Sequence, residues 1–211
     1  MPEKRFSSLE DYLETIADFS PIFVIREGKP LILSGVSSFK EYYGSKSGCY
    51  AESPDGRKVK ISPQREDIDL HNTFFWYDAR LSRYLTLENR VNCQQPPKDT
   101  MVVAALTLGL VENLPRARGL IDKYSWNQLK QARTDAIKKA MQARVAGESI
   151  LLLCKKMLGV AEEGLKQRGL EEEVFLAPLW ERLGRNRCPA DRVRRLFQSG
   201  GIQTLVEGLK L

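Results

Sequence analysis

The sequence lacks a long apolar segment. Its most hydrophobic stretch, residues 101–111, is interrupted by Thr107 and Gly109, whereas a membrane-spanning helix needs about 20 apolar residues. The first twenty residues carry acidic side chains throughout and contain no apolar core, so they do not resemble a secretory signal. We therefore predict a cytoplasmic protein that does not span a membrane.

Metal-binding and disulfide patterns are also missing. The chain has one histidine and four cysteines, which lie far apart without a CxxC pair. This spacing excludes a zinc site or a disulfide framework that sequence alone could identify, and we expect reduced thiols. Cys93 is predicted to be an inert core residue. His71 is predicted to be a polar residue at a strand edge rather than a general base.

The positive charge is uneven. The net charge is +6, yet residues 1–115 contain 14 basic and 16 acidic residues, and residues 116–211 contain 19 basic and 11 acidic ones. Acidic side chains are interleaved with the basic ones in the second half, and aromatic residues are sparse there. Because phosphate binding favours a continuous basic patch, this distribution makes nucleic-acid binding an alternative rather than the main hypothesis.

Length and patterning favour one continuous α+β domain. The 211 residues, 42% hydrophobic and 28% charged, are typical of a globular chain. Residues 1–115 are predicted to form a sheet-containing part and residues 116–211 a helical C-terminal part. We expect a small, mainly antiparallel sheet within residues 22–93 that packs against the helices. Predicted strands cover 22–25, 31–33, 72–80 and 84–93, with helices at 8–18, 37–43 and 97–113 and a loop-rich region at 44–64.

The second half is predicted to be helical to its end. Glycines separate segments near 116–123, 126–145, 148–168, 172–184, 189–198 and 201–209. Within 148–168, apolar residues recur every three or four positions and mark a face for bundle packing.

The segment WYDARLSRYLTLENRV, residues 76–91, combines aromatic and charged residues at strand spacing. Because side chains alternate along a strand, Thr86, Glu88 and Arg90 share one face, and Leu87 and Val91 share the opposite face, predicted to be core. On the preceding strand Trp76, Asp78 and Arg80 also share a face. Pairing of the two strands would gather two or three arginines around one carboxylate.

This arrangement has two interpretations. Glutamate and arginine on an exposed sheet face often form only a screened ion pair with little effect on stability. Alternatively, the carboxylate could hold Mg²⁺ while arginine donates to phosphate or carboxylate oxygens. Together such groups suit phosphoryl transfer, in which positioning and charge neutralisation provide most of the catalysis.

The same segment resembles a known enzyme family. With the following NCQQPPKDTMVVAALTLGLVENL, it is similar to the C-terminal half of the glutamate-cysteine ligase and carboxylate-amine ligase family, which carries a T-L-E-x-R strand and then an apolar helix. The opening SLEDYLETIADFSPIFVIREGKPL and the closing helices AEEGLKQRGLEEEVFLAPLWERL and CPADRVRRLF are similar as well. The resemblance implies part of a glutamine-synthetase-like ligase fold, with an antiparallel sheet forming a funnel-shaped site.

The resemblance implies a reaction and roles for particular residues. ATP and Mg²⁺ would activate the γ-carboxylate of glutamate as an acyl phosphate, which the amine of cysteine attacks. By motif, Glu88 resembles the metal-binding glutamate, and Arg90 the arginine that contacts phosphate or glutamate. Arg80 resembles a substrate-carboxylate ligand. Thr86, Trp76 and, as a weaker transfer, Arg83 are assigned to substrate or ATP binding. Core packing is the alternative for Trp76.

One part of the family pattern is absent. The family's N-terminal half supplies a G-x-E-x-E strand that holds most of the metal, and nothing before Trp76 resembles it. The run at residues 169–173 is predicted to open a helix after a glycine, since acidic residues favour helix N-termini. We therefore expect half an active site, completed by an N-terminal half on a longer chain or by a separate subunit. A non-catalytic ligase-like binding module remains an alternative.

Overall fold

A computed structural model describes residues 2–74, 77–82, 84, 86–92 and 95–210. The chain divides into two compact units, residues 1–91 and 92–211. The predicted α+β class is confirmed, with a small antiparallel sheet in the first unit and helices toward the C-terminus. No helix among the described residues is both long and apolar enough to cross a membrane.

Two helices of the first unit begin at serine caps. Helix α1 (Leu9–Ala17) begins after Ser8, whose hydroxyl accepts the Asp11 amide, and helix α2 (Phe39–Gly44) begins after Ser38 in the same way. A side-chain oxygen at this position satisfies an amide that has no partner within the helix. Both predicted helices are confirmed.

Four antiparallel strands form the sheet, in the order β1 (Val24–Arg26), β2 (Lys29–Ser34), β3 (Cys49–Glu52) and β4 (Lys58–Ile61). Glu27 and Gly28 join β1 to β2, and both have positive φ, as a type I′ hairpin turn requires. Residues 44–64 were expected to be loop-rich, but they contain β3 and β4. The core of this sheet contains Val24, Leu31, Phe39, Tyr42, Ala51 and Ile61.

The strand predicted over residues 72–80 is wrong at its start. Helix α3 (Glu66–Thr73) includes Asn72, and among the residues of this range that the structure describes, the strand is β5 (Ala79–Leu81). The strand predicted over residues 84–93 is shorter and corresponds to β6 (Leu87–Asn89). The aromatic residues at 74–77 favoured a strand by propensity, but Phe74 caps the end of α3, and its ring centre lies 4.8 Å from that of Phe23.

A buried ion pair links α3 to the sheet. Asp67 on α3 accepts from the Nη1 and Nη2 atoms of Arg26 on β1, both at 2.8 Å, and from the Tyr42 hydroxyl at 2.7 Å. The backbone amide of Gln64 donates to the same carboxylate at 2.8 Å. Burial raises the pKa of Asp67, but these hydrogen bonds outweigh burial and hold it below its usual value. The carboxylate is therefore buried, ionised and saturated with donors.

His71 is a buried helical residue, so its predicted place at a strand edge is wrong. Its ring stacks on Phe39, with ring centres 4.1 Å apart, and Nε2 lies 2.8 Å from the carbonyl oxygen of Ile16. Burial lowers the pKa of His71, and the hydrogen bond to Ile16 opposes this only partly. The imidazole therefore has a packing role in the first unit.

Acid should weaken the first unit through His71. Because its pKa is lowered in the folded state, the unfolded chain binds a proton more readily as the pH falls below about 6.5. The free energy of unfolding should therefore fall between about pH 7 and pH 5. His71→Phe retains a stacked ring without a titrating group, so its free energy of unfolding should change less. Urea unfolding at both pH values measures this, and parallel pH profiles would contradict it.

The second unit is a set of helices: α4 (Met101–Glu112), α5 (Leu114–Asp122), α6 (Trp126–Lys139), α7 (Ile150–Arg168), α8 (Ala177–Gly184) and α9 (Pro189–Leu209). The predicted apolar face of α7 is buried at Leu158, Ala161 and Leu165. A short hairpin that the sequence did not predict, β7 (Arg144–Val145) and β8 (Glu148–Ser149), precedes α7. Residues Glu172–Leu176 form a short 3₁₀ helix, so the acidic run after Gly169 opens a helix, as predicted.

Two glycines let α4 and α7 approach each other closely. A Cβ atom at Gly164 would lie 2.2 Å from the carbonyl oxygen of Gly109, and one at Gly109 would lie 2.2 Å from that of Ala161. Real side chains do not approach backbone atoms this closely. The two helices therefore contact through their backbones at this crossing.

Candidate functional site

Strands β5 and β6 place the predicted charged residues together. They pair antiparallel with Arg80 directly opposite Glu88, and Nε of Arg80 donates to Oε2 of Glu88 at 2.6 Å. The Arg80 side chain is 18% exposed and that of Glu88 is 40% exposed. The cluster of Arg80, Glu88 and Arg90 is the candidate site. The sequence predicted that pairing of the two strands would gather arginines around one carboxylate, without specifying this register.

Arg80 is held from a second direction. Its Nη1 atom donates to the backbone carbonyl of Thr73, at the C-terminal end of α3, at 2.7 Å. A carbonyl group at a helix end has no partner within the helix and carries partial negative charge. Thr73 was not predicted as part of the site, because any residue type supplies this carbonyl and no sequence pattern reveals it.

Glu88 lies between positive charges. The hydrogen bond from Arg80 is the main cause that lowers the pKa of Glu88; the charges of Arg80 and Arg90 add to it, and partial desolvation opposes it. Arg90 is exposed, and its backbone amide donates to the Asp78 carbonyl at 2.9 Å, one step beyond the paired residues. Glu88 is therefore a carboxylate near neutral pH, with two arginines around it.

Thr86 belongs to the connection between the strands. Its hydroxyl lies 2.7 Å from that of Ser82, and its carbonyl accepts the Ser82 amide at 2.8 Å. Thr86 is exposed, and these contacts close the β5–β6 connection. The other two predicted site residues, Trp76 and Arg83, lie outside the described residues, as does Cys93.

Strands β5 and β6 form a two-stranded ribbon, and residues of α1 and α3 contact its strand β5. Leu81 is buried with Tyr12 and Ile16 of α1. The Asn72 side-chain amide donates to the Leu81 carbonyl at 2.8 Å. These contacts fix the residue after Arg80, so they help to fix the direction of the arginine.

The predicted core face of β6 is wrong. Leu87 and Val91 were assigned to the core by alternation, but they are 80% and 60% exposed. Leu81 opposite Leu87 is buried because α1 covers it, and this cover does not extend across to β6. A two-stranded ribbon has little core of its own, so alternation alone does not determine burial here.

The described residues do not fit a Mg²⁺ ion by themselves. Magnesium prefers six oxygen ligands in octahedral geometry, commonly one or two carboxylates with water and phosphate oxygens. Glu88 contributes one carboxylate, and Arg80 already contacts one of its oxygens. Across the described ranges, no group of three or more His, Cys, Asp or Glu side chains is placed to hold a metal. The assignment of Glu88 as a metal ligand stays a prediction.

What the cluster offers chemically is anion binding. Arg90 is exposed. Among the described residues, Glu88 accepts from Nε of Arg80 and Thr73 accepts from Nη1, so these two contacts leave Nη hydrogens for a ligand. Guanidinium groups bind carboxylate and phosphate oxygens well, because their planar hydrogens match the geometry of these anions. The arrangement therefore suits an anionic ligand more directly than a metal ion.

Comparison with known proteins gives one distant match. No family model matches the chain. The chain is 22% identical over 199 residues to the chloroplastic glutamate-cysteine ligase of Medicago truncatula, an alignment covering 93% of this chain and 37% of that enzyme. The chain therefore spans little more than a third of the length of the curated relative it matches. At this distance, the similarity points toward the ligase family that the strand motif resembles.

Proposed function

We propose that this chain is part of an ATP-dependent ligase that joins the γ-carboxylate of glutamate to the amine of cysteine. The observation that carries the proposal is the cluster of Arg80, Glu88 and Arg90 on the β5–β6 ribbon. The distant similarity to a glutamate-cysteine ligase over nearly the whole chain supports it. In this proposal, Mg²⁺ and ATP are required and the chain alone is incomplete.

The arginines would bind the anionic groups of the reaction. One substrate is a dicarboxylate, and ATP and the acyl phosphate carry phosphoryl oxygens. Arg80 and Arg90 would hold these oxygens, which lowers the cost of bringing negative groups together during phosphoryl transfer. Glu88 would position Arg80 through their hydrogen bond. Further acidic residues would come from another part of a longer chain or from a separate subunit, since this chain covers 37% of its relative.

The decisive measurement is ATP-dependent formation of γ-glutamylcysteine by the complete protein, either a parent chain or this chain reconstituted with its complement. We expect Arg80→Gln and Glu88→Gln each to lower kcat/KM by about 100-fold, the usual cost of losing one transition-state interaction. Arg57→Gln is the matched control: Arg57 is an exposed arginine on the β3–β4 connection and should leave kcat/KM unchanged. Full activity in both Arg80→Gln and Glu88→Gln would overturn the proposal.

Calorimetry separates catalysis from simple binding. A non-catalytic ligase-like module would bind Mg-ATP or glutamate, but the complete protein would form no product. A specific observation keeps this alternative open: the described residues supply one carboxylate to the cluster. Binding that Arg80→Gln abolishes, without product formation by the complete protein, would favour this module.

A further inference from the structure

The last helix of the second unit folds back on itself. Gly200 and Gly201 have non-helical backbone angles and break α9 into segments 189–199 and 202–209. Nη2 of Arg192 donates to the carbonyl of Gly208 at 2.8 Å, and a Cβ atom at Gly208 would lie 2.9 Å from the Leu196 side chain. The two segments therefore pack antiparallel. We call residues 189–209 the C-terminal hairpin.

The C-terminal hairpin exposes apolar side chains instead of burying them. None of its residues is buried. Its exposed large apolar residues are Val193, Phe197, Ile202, Val206 and Leu209. Within each segment they recur at intervals of three or four residues, so each segment presents an apolar stripe.

Helix geometry places both stripes on one side of the hairpin. In the first segment, the apolar stripe lies about 100° around the helix from the residues that contact the second segment. In the second segment, Gly208 contacts the first segment, and the apolar stripe lies at about the same angle from Gly208, again measured along the chain direction. Between two antiparallel helices, both the chain direction and the direction toward the partner helix reverse. Equal rotations away from the contact therefore place both stripes on the same side of the hairpin, where they form one continuous apolar face.

The surroundings of this face are basic. Residues 185–210 contain six basic and two acidic residues. The side chains of Arg187 and Arg194 are exposed and make no hydrogen bond or ion pair with any described residue. Arg194 directly follows Val193, so it lies at the border of the apolar stripe. An occupant of this surface must be apolar where it meets the stripe and anionic where it meets the arginines.

These features favour one occupant over others. A second copy would bring two basic surfaces together, which opposes association. A nucleic acid would bind the arginines but leave the apolar face in water. Apolar side chains bordered by arginines are the pattern of helices that lie in the interface of an anionic membrane. We propose that the C-terminal hairpin binds an anionic lipid surface, with Phe197 and its apolar neighbours inserted and Arg187 and Arg194 contacting lipid phosphates.

Vesicle flotation with the full chain tests this proposal. The chain should bind phosphatidylcholine vesicles that contain phosphatidylserine, and bind less well to phosphatidylcholine alone or at high salt. Phe197→Glu and Val206→Glu should each weaken binding by at least about tenfold. The double variant Arg187→Gln, Arg194→Gln should remove the preference for phosphatidylserine. Ile137→Glu and Lys138→Gln are matched controls on α6, where both residues are exposed, and should bind like the wild type.

Circular dichroism establishes that each variant is folded, which is expected because every substituted residue is exposed. Absence of binding to phosphatidylserine vesicles at low salt would overturn the proposal, as would binding that neither glutamate substitution weakens. Self-association that Val206→Glu abolishes, without vesicle binding, would assign the face to a second copy. Salt-dependent retention on RNA without vesicle binding would assign the arginines to nucleic acid. None of these outcomes depends on ligase activity.

Discussion

Gly164→Ala is expected to destabilise the second unit by about 3 kcal/mol, near the upper end of the usual range for overpacking a close contact. The added Cβ atom would lie 2.2 Å from the Gly109 carbonyl oxygen and 3.2 Å from the Cβ of Asn113. The first of these atoms belongs to the backbone, so no side-chain rotation relieves the clash. Helices α4 and α7 would have to separate, and this exposes apolar residues that both helices bury.

Gly159→Ala is the matched control for this prediction. Gly159 lies on the same helix, and nothing lies within 4 Å of a Cβ atom built there. Alanine should therefore stabilise α7 by up to about 1 kcal/mol through its higher helix propensity. Urea unfolding gives both free energies, and hydrogen exchange of peptides from α4 and α7 locates the change. Equal stability of the Gly164→Ala and Gly159→Ala proteins would contradict the backbone contact.

Asp67→Ala is expected to destabilise the first unit by about 3 kcal/mol. The substitution removes a buried carboxylate that accepts from Arg26, Tyr42 and the Gln64 amide. Arg26 would lose its carboxylate counterion and keep only neutral acceptors, namely the Tyr42 hydroxyl and the Ile25 and Ser62 carbonyls. The Tyr42 hydroxyl and the Gln64 amide would lose their acceptor, and most of the expected cost comes from these losses. The strand β1 and helices α2 and α3 should loosen together.

Asp69→Ala provides the comparison, because Asp69 is an exposed acidic residue on the same helix. It should change the free energy of unfolding by no more than about 0.5 kcal/mol. Hydrogen exchange of peptides covering residues 24–73 distinguishes the first unit from the second. If exchange there is as slow in Asp67→Ala as in Asp69→Ala, the buried ion pair does not stabilise the unit.

Much of the fold could be predicted from local patterns. Ser8 and Ser38 mark helix starts by a side chain that satisfies a backbone amide, and the Glu27–Gly28 turn marks a hairpin. The apolar periodicity of α7 predicted its buried face correctly. These signals succeed because the physical cause lies within a few residues of the element that it produces.

Errors occurred where distant contacts decide the structure. Helix α3 carries the buried groups Asp67 and His71, whose partners are Arg26, Tyr42, Phe39 and Ile16, far away in the sequence. Strands β3 and β4 are four residues long and mostly exposed, so the alternation of β4 (Lys58–Ile61) is too short to identify a strand by itself. Burial of Leu81 but not of Leu87 depends on the position of α1, which no local pattern contains.

In the candidate site, too, local patterns could be predicted from the sequence and distant contacts could not. Strand alternation predicted that arginines would lie near one carboxylate, but it did not give the register that places Arg80 opposite Glu88. It could not reveal that the Thr73 carbonyl also binds Arg80. That contact depends on where α3 ends, and α3 was itself missed.

The two contacts of Arg80 restrict how a ligand approaches it. Nε donates to Glu88 and Nη1 donates to Thr73, so these two described residues use the Nε hydrogen and one hydrogen of Nη1. With respect to these two contacts, an incoming oxyanion meets Nη2 and the second hydrogen of Nη1. The side chain has already given up most of its rotational freedom before any ligand arrives, so binding costs less ordering entropy than at a freely rotating arginine.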